Sequence, residues 1–244
     1  MDPGRYRFQK TSHGTGLVTE GQVRLGRTGR QLKFRISQRF FMAANPLAGA
    51  IGLDYAGFTQ RTRLEIFGGC EPIRDRIGLW HLLQLPAGGK VWITCRQRVQ
   101  PTMLFCRPSP LPPRVFQHLP RLLAHRTVSR REYKFGLPPG GLGGRIGYLG
   151  RQGKAWSLVV RDFSVDPRAF YVDVPWHHPS GTGTAVQFCV VDNPTLGKFA
   201  EIEHHGPAVG WGTGRNQTEE ACDTWSYRGN QRCVLRAAQT LLSR

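Results

Sequence analysis

The sequence predicts an all-β protein, a sandwich of sheets closed by a short C-terminal helix. Three observations carry that expectation. Apolar and polar residues alternate strictly at Leu32, Phe34 and Ile36, at Thr62, Leu64 and Ile66, and at Val91, Ile93 and Cys95. That is the two-residue period of strands with one wet face. The chain holds 30 Gly and 17 Pro in 244 residues, a density that favours many turns over long helices. The strand signals also follow one another without regular intervening helices, which argues against a βαβ arrangement.

The opening residues are small and charged, so residues 1–30 are expected to be a loosely ordered segment, residues 31–217 the β-sandwich domain and residues 218–244 a helical segment. After the first alternating run, Asn45-Pro46 marks a turn, and Gly68-Gly69 ends the second strand. Ile77 to Leu85 reads as a short helix that enters a turn at Pro86-Ala-Gly-Gly, and Lys90 to Cys95 is the next strand. His118 to Tyr133 has partly helical spacing with a high positive charge. Pro138-Pro-Gly-Gly-Leu-Gly-Gly reads as a flexible loop with no Gly-Lys-Ser/Thr ending, so it is not a nucleotide-binding loop.

Strand signals return at Trp156 to Phe163, Ala169 to Val174, Ala185 to Val191 and Lys198 to His205. In the last segment Val234, Ala237, Ala238 and Leu241 share one face of a helix, and Glu219 and Glu220 suit its start. Asp162 reads as a turn or cap residue.

Composition narrows the classes. Apolar residues make up 39%, enough for a core. The formal charge is +18, and all but six of the 34 basic residues are Arg. Such a field attracts polyanions, but no run of five basic residues occurs and no nucleic-acid-binding signature accompanies it. Non-specific nucleic-acid binding is therefore kept only as a lesser alternative. The N-terminus lacks the apolar stretch of a secretory signal, and no apolar run is long enough to span a bilayer as a helix. The expectation is a cytoplasmic protein without a membrane partner. Cys70, Cys95, Cys106, Cys189, Cys222 and Cys233 are widely spaced, without a C-x-x-C pair, and read as free buried thiols.

The strongest chemical feature is Glu201-Ile-Glu-His-His. On a strand, Glu201, Glu203 and His205 share one face while Ile202 and His204 share the other. Three readings stand for that face: a solvated hydrogen-bonded surface, a clasp for sugar hydroxyls, or a carboxylate–imidazole pair for proton transfer. Trp176-His177-His178, bracketed by prolines, reads as a loop where Trp176 would stack on a pyranose and the imidazoles would donate hydrogen bonds. Adjacent His pairs lack the spacing usual in metal sites, so no metal and no cofactor are expected. Arg61 and Arg63 share one face of the second strand; they suit an acidic sugar or are simply solvated. His81 reads as a packed, satisfied histidine.

Five segments resemble the uncharacterised bacterial relatives of galactose mutarotase, an aldose 1-epimerase-like family. They are Phe40-Phe-Met-Ala-Ala-Asn-Pro-Leu, Asp54-Tyr-Ala-Gly-Phe-Thr-Gln, Leu79-Trp-His-Leu-Leu-Gln-Leu-Pro-Ala-Gly-Gly, Ala155-Trp-Ser-Leu-Val-Val-Arg-Asp-Phe and Phe199-Ala-Glu-Ile-Glu-His-His-Gly-Pro-Ala. The resemblance implies a β-supersandwich with a carbohydrate-shaped groove, in a truncated member of the family. It implies a carbohydrate partner; a neutral or acidic sugar is the expectation, with Arg61, Trp176, His177 and Glu201 as the binding residues their side-chain chemistry suggests. It also implies, as the alternative function, cofactor-independent aldose epimerisation with Glu203 as base and His178 or His205 as acid. No epimerase histidine motif is present, so binding without an established activity is the leading expectation.

Overall fold

The structure is a computed structural model that describes residues 5–11, 14–24, 29–67, 76–107, 111–112, 114–127, 130–172, 183–210 and 212–243. Seventeen strands and one helix occupy them. The first seven strands are β1 (Arg7–Thr11), β2 (Gly14–Arg24), β3 (Gln31–Met42), β4 (Leu53–Phe67), β5 (Arg76–Ile77), β6 (Trp80–Pro86) and β7 (Lys90–Cys95). The next six are β8 (Thr102–Arg107), β9 (Phe116–Leu119), β10 (Leu122–Arg126), β11 (Glu132–Leu137), β12 (Leu142–Gln152) and β13 (Ala155–Phe163). The chain ends with β14 (Val186–Asn193), β15 (Gly197–His205), β16 (Val209–Gly210), β17 (Gln217–Gly229) and α1 (Gln231–Leu242).

The all-β expectation with a short C-terminal helix is met. A ten-stranded sheet runs β1-β2-β3-β4-β17-β13-β12-β7-β10-β9, a five-stranded sheet runs β6-β15-β14-β11-β8, and β16 pairs with β5. Every pairing is antiparallel, as between β3 and β4, where Phe34 faces Ile66 and Ile36 faces Leu64. Alternation along these two strands sends Leu32, Phe34, Leu64 and Ile66 inward, against Leu79 and Val209.

The main core lies between the two large sheets. The ten-stranded sheet contributes Val91, Ile93, Ile146, Tyr148 and Phe163, and the five-stranded sheet contributes Phe135, Leu137, Phe188, Val190 and Ile202. On its opposite face the ten-stranded sheet receives α1, whose Val234, Ala237, Ala238, Leu241 and Leu242 pack against Leu158, Val160, Trp225 and Tyr227. Asn230 caps α1 by accepting the Cys233 N–H at 2.9 Å. Gly147 of β12 lies directly beneath the helix, where a Cβ would come within 2.6 Å of Leu242 Cδ1.

Several expectations are corrected. Ile77 to Leu85 is not a helix: its larger part is β6, whose pairing with β15 places His81, Leu83 and Leu85 on one face and Trp80, Leu82 and Gln84 on the other. Strand pairing overrides the helical preference of its leucines. His118 to Tyr133 forms no helix either. Pro120 and Arg121, the latter at φ 61°, turn the chain between β9 and β10. Residues 169–172 lie outside any strand. Glu219 and Glu220 belong to β17 and not to the start of α1, whose first turn holds no acidic residue. Asp162 sits within β13, where it accepts Arg145 Nη2 at 2.6 Å. Residues 7–11 and 14–24, within the segment read as loosely ordered, are paired strands.

Candidate functional site

The outer face of the five-stranded sheet carries Glu201, Glu203 and Lys134. Register brings Trp80 opposite His205, Leu82 opposite Glu203 and Gln84 opposite Glu201. Across β14, Gln187 stands opposite Glu203 and Cys189 opposite Glu201, and Lys134 of β11 stands opposite Cys189. Paired residues point to the same side of a sheet, so four strands supply one polar surface on the face turned away from the main core.

Glu203 is its centre. Its side chain is 0% exposed, and its Oε2 accepts hydrogen bonds from Trp80 Nε1 at 2.6 Å and Lys134 Nζ at 2.8 Å. The Lys134 ammonium also lies 5.3 Å from the centroid of the Trp80 ring. Burial pushes the Glu203 carboxyl above its ordinary range, opposed by Lys134 and by the Trp80 N–H. Gln84 Nε2 donates to Glu201 Oε1 at 3.2 Å. Desolvation, with Lys134 adding to it, lowers His205 to about 3, so its imidazole is neutral near pH 7. Desolvation also raises Cys189 to about 12, which keeps it a thiol and a poor nucleophile.

Among the described residues, three buried polar atoms on this face lack a hydrogen-bond partner: Glu203 Oε1, Gln187 Oε1 and His205 Nε2. Such atoms are costly to bury and mark where a ligand or water would complete the network. Trp80, by contrast, is 49% exposed although its indole N–H is held by the buried carboxylate.

Of the residues singled out in the sequence, the structure brings Glu201, Glu203 and His205 together as alternation required. Arg61 does not join them. It lies on β4 of the ten-stranded sheet, its guanidinium 5.8 Å from the centroid of Phe41. Its neighbour Arg63 is bound to Glu65 and Gln217. Trp176, His177 and His178 lie outside the described residues. Sequence reasoning missed Lys134, Trp80 and Gln187. The usable signal for Lys134 was a lone charge at the second position of the alternating run Tyr133, Phe135, Leu137.

Two groups of side chains have metal-ligand chemistry, each with donor atoms within 4.8 Å of one another. Cys189, Glu201 and Glu203 form the first, but the Lys134 ammonium already supplies its positive charge. His81, His204 and Glu220 form the second, on the inner side of the five-stranded sheet. His81 and His204 stack with ring centroids 4.5 Å apart, and His204 stacks on Phe163 at 4.2 Å. Glu220 Oε2 lies 3.3 Å from His81 Nε2 and 3.6 Å from His204 Nε2, yet neither contact is a hydrogen bond, the first for want of alignment and the second for its length. The satisfied packing expected for His81 is thus corrected: the ring is buried, but among the described residues its Nε2 has no hydrogen-bond partner.

A third feature is an open groove of about 510 Å³ on the ten-stranded sheet, lined by Lys90, Arg114, Arg126, Arg151 and Trp156 among others. Comparison of the chain with protein-family models, with curated proteins and with solved structures gives no match.

Proposed function

We propose that the chain is a carbohydrate-binding domain of the galactose mutarotase-like supersandwich type, and that its sugar site is the outer face of the five-stranded sheet. The observation that carries this reading is Trp80. A half-exposed indole whose N–H is fixed by a buried carboxylate is a rigid apolar platform beside hydrogen-bonding groups. A pyranose needs that combination, because one of its faces is apolar C–H and its rim is hydroxyl. Around the platform stand Glu201, Gln84 and Lys134, with the unpartnered Glu203 Oε1, Gln187 Oε1 and His205 Nε2 below. Neutral sugars are served by these acceptors and donors. Acidic sugars would use the Lys134 ammonium.

A second reading is favoured by one observation. Glu203 has a raised pKa and shares its face with a neutral imidazole, the pairing that aldose epimerisation would use for base and acid. Because His205 is uncharged near neutral pH, it would give up the N–H of a neutral ring and not the proton of an imidazolium. That makes it a weak acid and ranks binding above catalysis.

Calorimetric titration of a panel of neutral and acidic mono- and oligosaccharides tests the binding reading. Binding is expected, weakened about tenfold or more in Trp80→Ala, equivalent to about 1.4 kcal/mol. Failure of the folded protein to bind any sugar in the panel overturns it. Polarimetry on freshly dissolved aldoses tests catalysis on the same samples. Acceleration that disappears in Glu203→Gln would establish the second reading, and an unchanged rate in that variant removes Glu203 from it.

A further inference from the structure

Inside the sandwich, back to back with the polar face, His81, His204 and Glu220 meet from three strands. His81 comes from β6 and His204 from β15, both in the five-stranded sheet, and Glu220 comes from β17 in the ten-stranded sheet. All three side chains are at least nine-tenths buried. Among the described residues, His81 Nε2, both nitrogens of His204 and Glu220 Oε2 are buried without a hydrogen-bond partner. Orphaned polar atoms from three side chains at one point of a core are a large unmet cost, and one species that accepts a lone pair from each of the three side chains would remove most of it.

A proton satisfies one such atom; a metal ion satisfies several. Two neutral imidazoles and a carboxylate form a common donor set for zinc. Ligands at about 2.0–2.1 Å from a tetrahedral ion stand roughly 3.3–3.4 Å from each other. The Glu220 oxygen is 3.3 Å and 3.6 Å from the two imidazole nitrogens, close to that tetrahedral edge and longer than an aligned hydrogen bond of this type. Among the described residues, the ion-pair contacts of Glu220 are the two imidazoles alone. This sets the triad apart from the Cys189, Glu201 and Glu203 group, where Lys134 already neutralises the carboxylate. Gly206 leaves the room that Glu220 uses, for a Cβ there would lie 2.9 Å from Glu220 Cδ.

We propose that His81, His204 and Glu220 bind one divalent transition-metal ion, with zinc chemistry, that fastens the five-stranded sheet to the ten-stranded sheet. Three protein ligands leave a fourth position for water. The two rings are stacked within 9° of parallel, so binding turns them until their lone pairs converge and the stack opens. Buried Arg161, whose field acts on His204 and whose Nε donates to Cys222 Sγ at 3.3 Å, opposes the ion. It sets the affinity below that of an uncompensated site.

The test uses the full chain, purified without a metal-affinity step, then stripped and titrated with zinc and with cobalt. One ion per chain is expected, with a melting temperature that rises on adding zinc and falls on chelation. Cobalt absorption should report tetrahedral coordination, and X-ray absorption of the zinc form should show imidazole nitrogen in the first shell. His81→Gln and Glu220→Gln should each weaken binding about a hundredfold or more, whereas the double substitution of His177 and His178 by Ala leaves it unchanged. Arg161→Gln should tighten it. Absence of binding and of thermal stabilisation by either metal overturns the proposal. Affinity that survives His81→Gln, or depends on His177 and His178, does so too. If the triad variants do not fold, the wild-type absorption spectrum decides, and a shell without histidine nitrogen is the overturning result.

Discussion

Burial of histidine is the dominant electrostatic fact at the scale of single residues. His125 is lowered to about 4 and His205 to about 3 by desolvation, and desolvation also lowers His204 well below its ordinary value. His125 Nε2 and the Tyr133 hydroxyl also share a hydrogen bond at 2.7 Å, inside an aromatic cluster with Phe135 and Phe188. A histidine whose folded pKa lies below its unfolded value of about 6.5 binds fewer protons when folded. Its stabilisation is full above pH 6.5 and is lost as pH falls towards the folded pKa. Each such group should cost about 1.4 kcal/mol per pH unit through that window. The raised Glu203 acts in the opposite sense above its unfolded pKa and offsets a fraction of the loss. Denaturant unfolding from pH 7 to pH 4.5 is therefore expected to give steeply falling stability, with a shallower slope in His125→Phe. A flat profile would mean that these rings remain neutral in the unfolded chain or hydrated in the folded one.

Among elements, α1 has the clearest origin. The spacing of Val234, Ala237, Ala238 and Leu241 places them on one face, and all four are buried against the ten-stranded sheet. Its start was misread, because two acidic residues at 219 and 220 look like a first helical turn when only local sequence is considered. The true cap is Asn230, after the thirteen residues of β17, which pair along their length with β4 and from Cys222 to Gly229 with β13. Docking of the helix depends on Gly147, where a methyl group would meet Leu242 at 2.6 Å. Gly147→Ala should cost about 1–3 kcal/mol by overpacking, visible as a lower urea midpoint. In the double variant with Leu242→Ala the cost should be smaller than the sum of the two single costs, because the two changes share one space. Strict additivity would show that the helix moves away from the sheet instead. Strands with clean alternation, such as β3, β4, β7 and β15, were legible from sequence for the same local reason that α1 was. β6, β9 and β10 were not, because their leucines and positive charges carry no period that distinguishes a short strand from a helix.

Taken whole, the molecule carries charges of both signs on its two large sheets. The outer face of the five-stranded sheet holds Glu201 and Glu203, while Lys90, Arg114, Arg126 and Arg151 line the groove on the ten-stranded sheet. With a formal charge of +18, polyanions should bind by charge alone. Filter binding of single-stranded and duplex DNA is expected to be weak, indifferent to sequence and abolished by 0.5 M salt, on the order of the loss seen for phosphate-only contacts. Tight binding to one sequence at that salt would instead identify a nucleic-acid recognition function and displace the sugar reading. No helix among the described residues is long and apolar enough to cross a membrane.

The sequence by itself determined the all-β class, the inward faces of the clearest strands, the amphipathic terminal helix and the common side of Glu201, Glu203 and His205. Each follows from positions two, three or four residues apart, which backbone geometry alone orients. Only the tertiary structure decided which strands are neighbours. It brought Lys134 to Glu203 across β14, left Arg61 on another sheet, and set His81 and His204 against Glu220 across the core. Those meetings join residues far apart in the chain. They depend on sheet order and on how one sheet lies over another, which local periodicity does not encode.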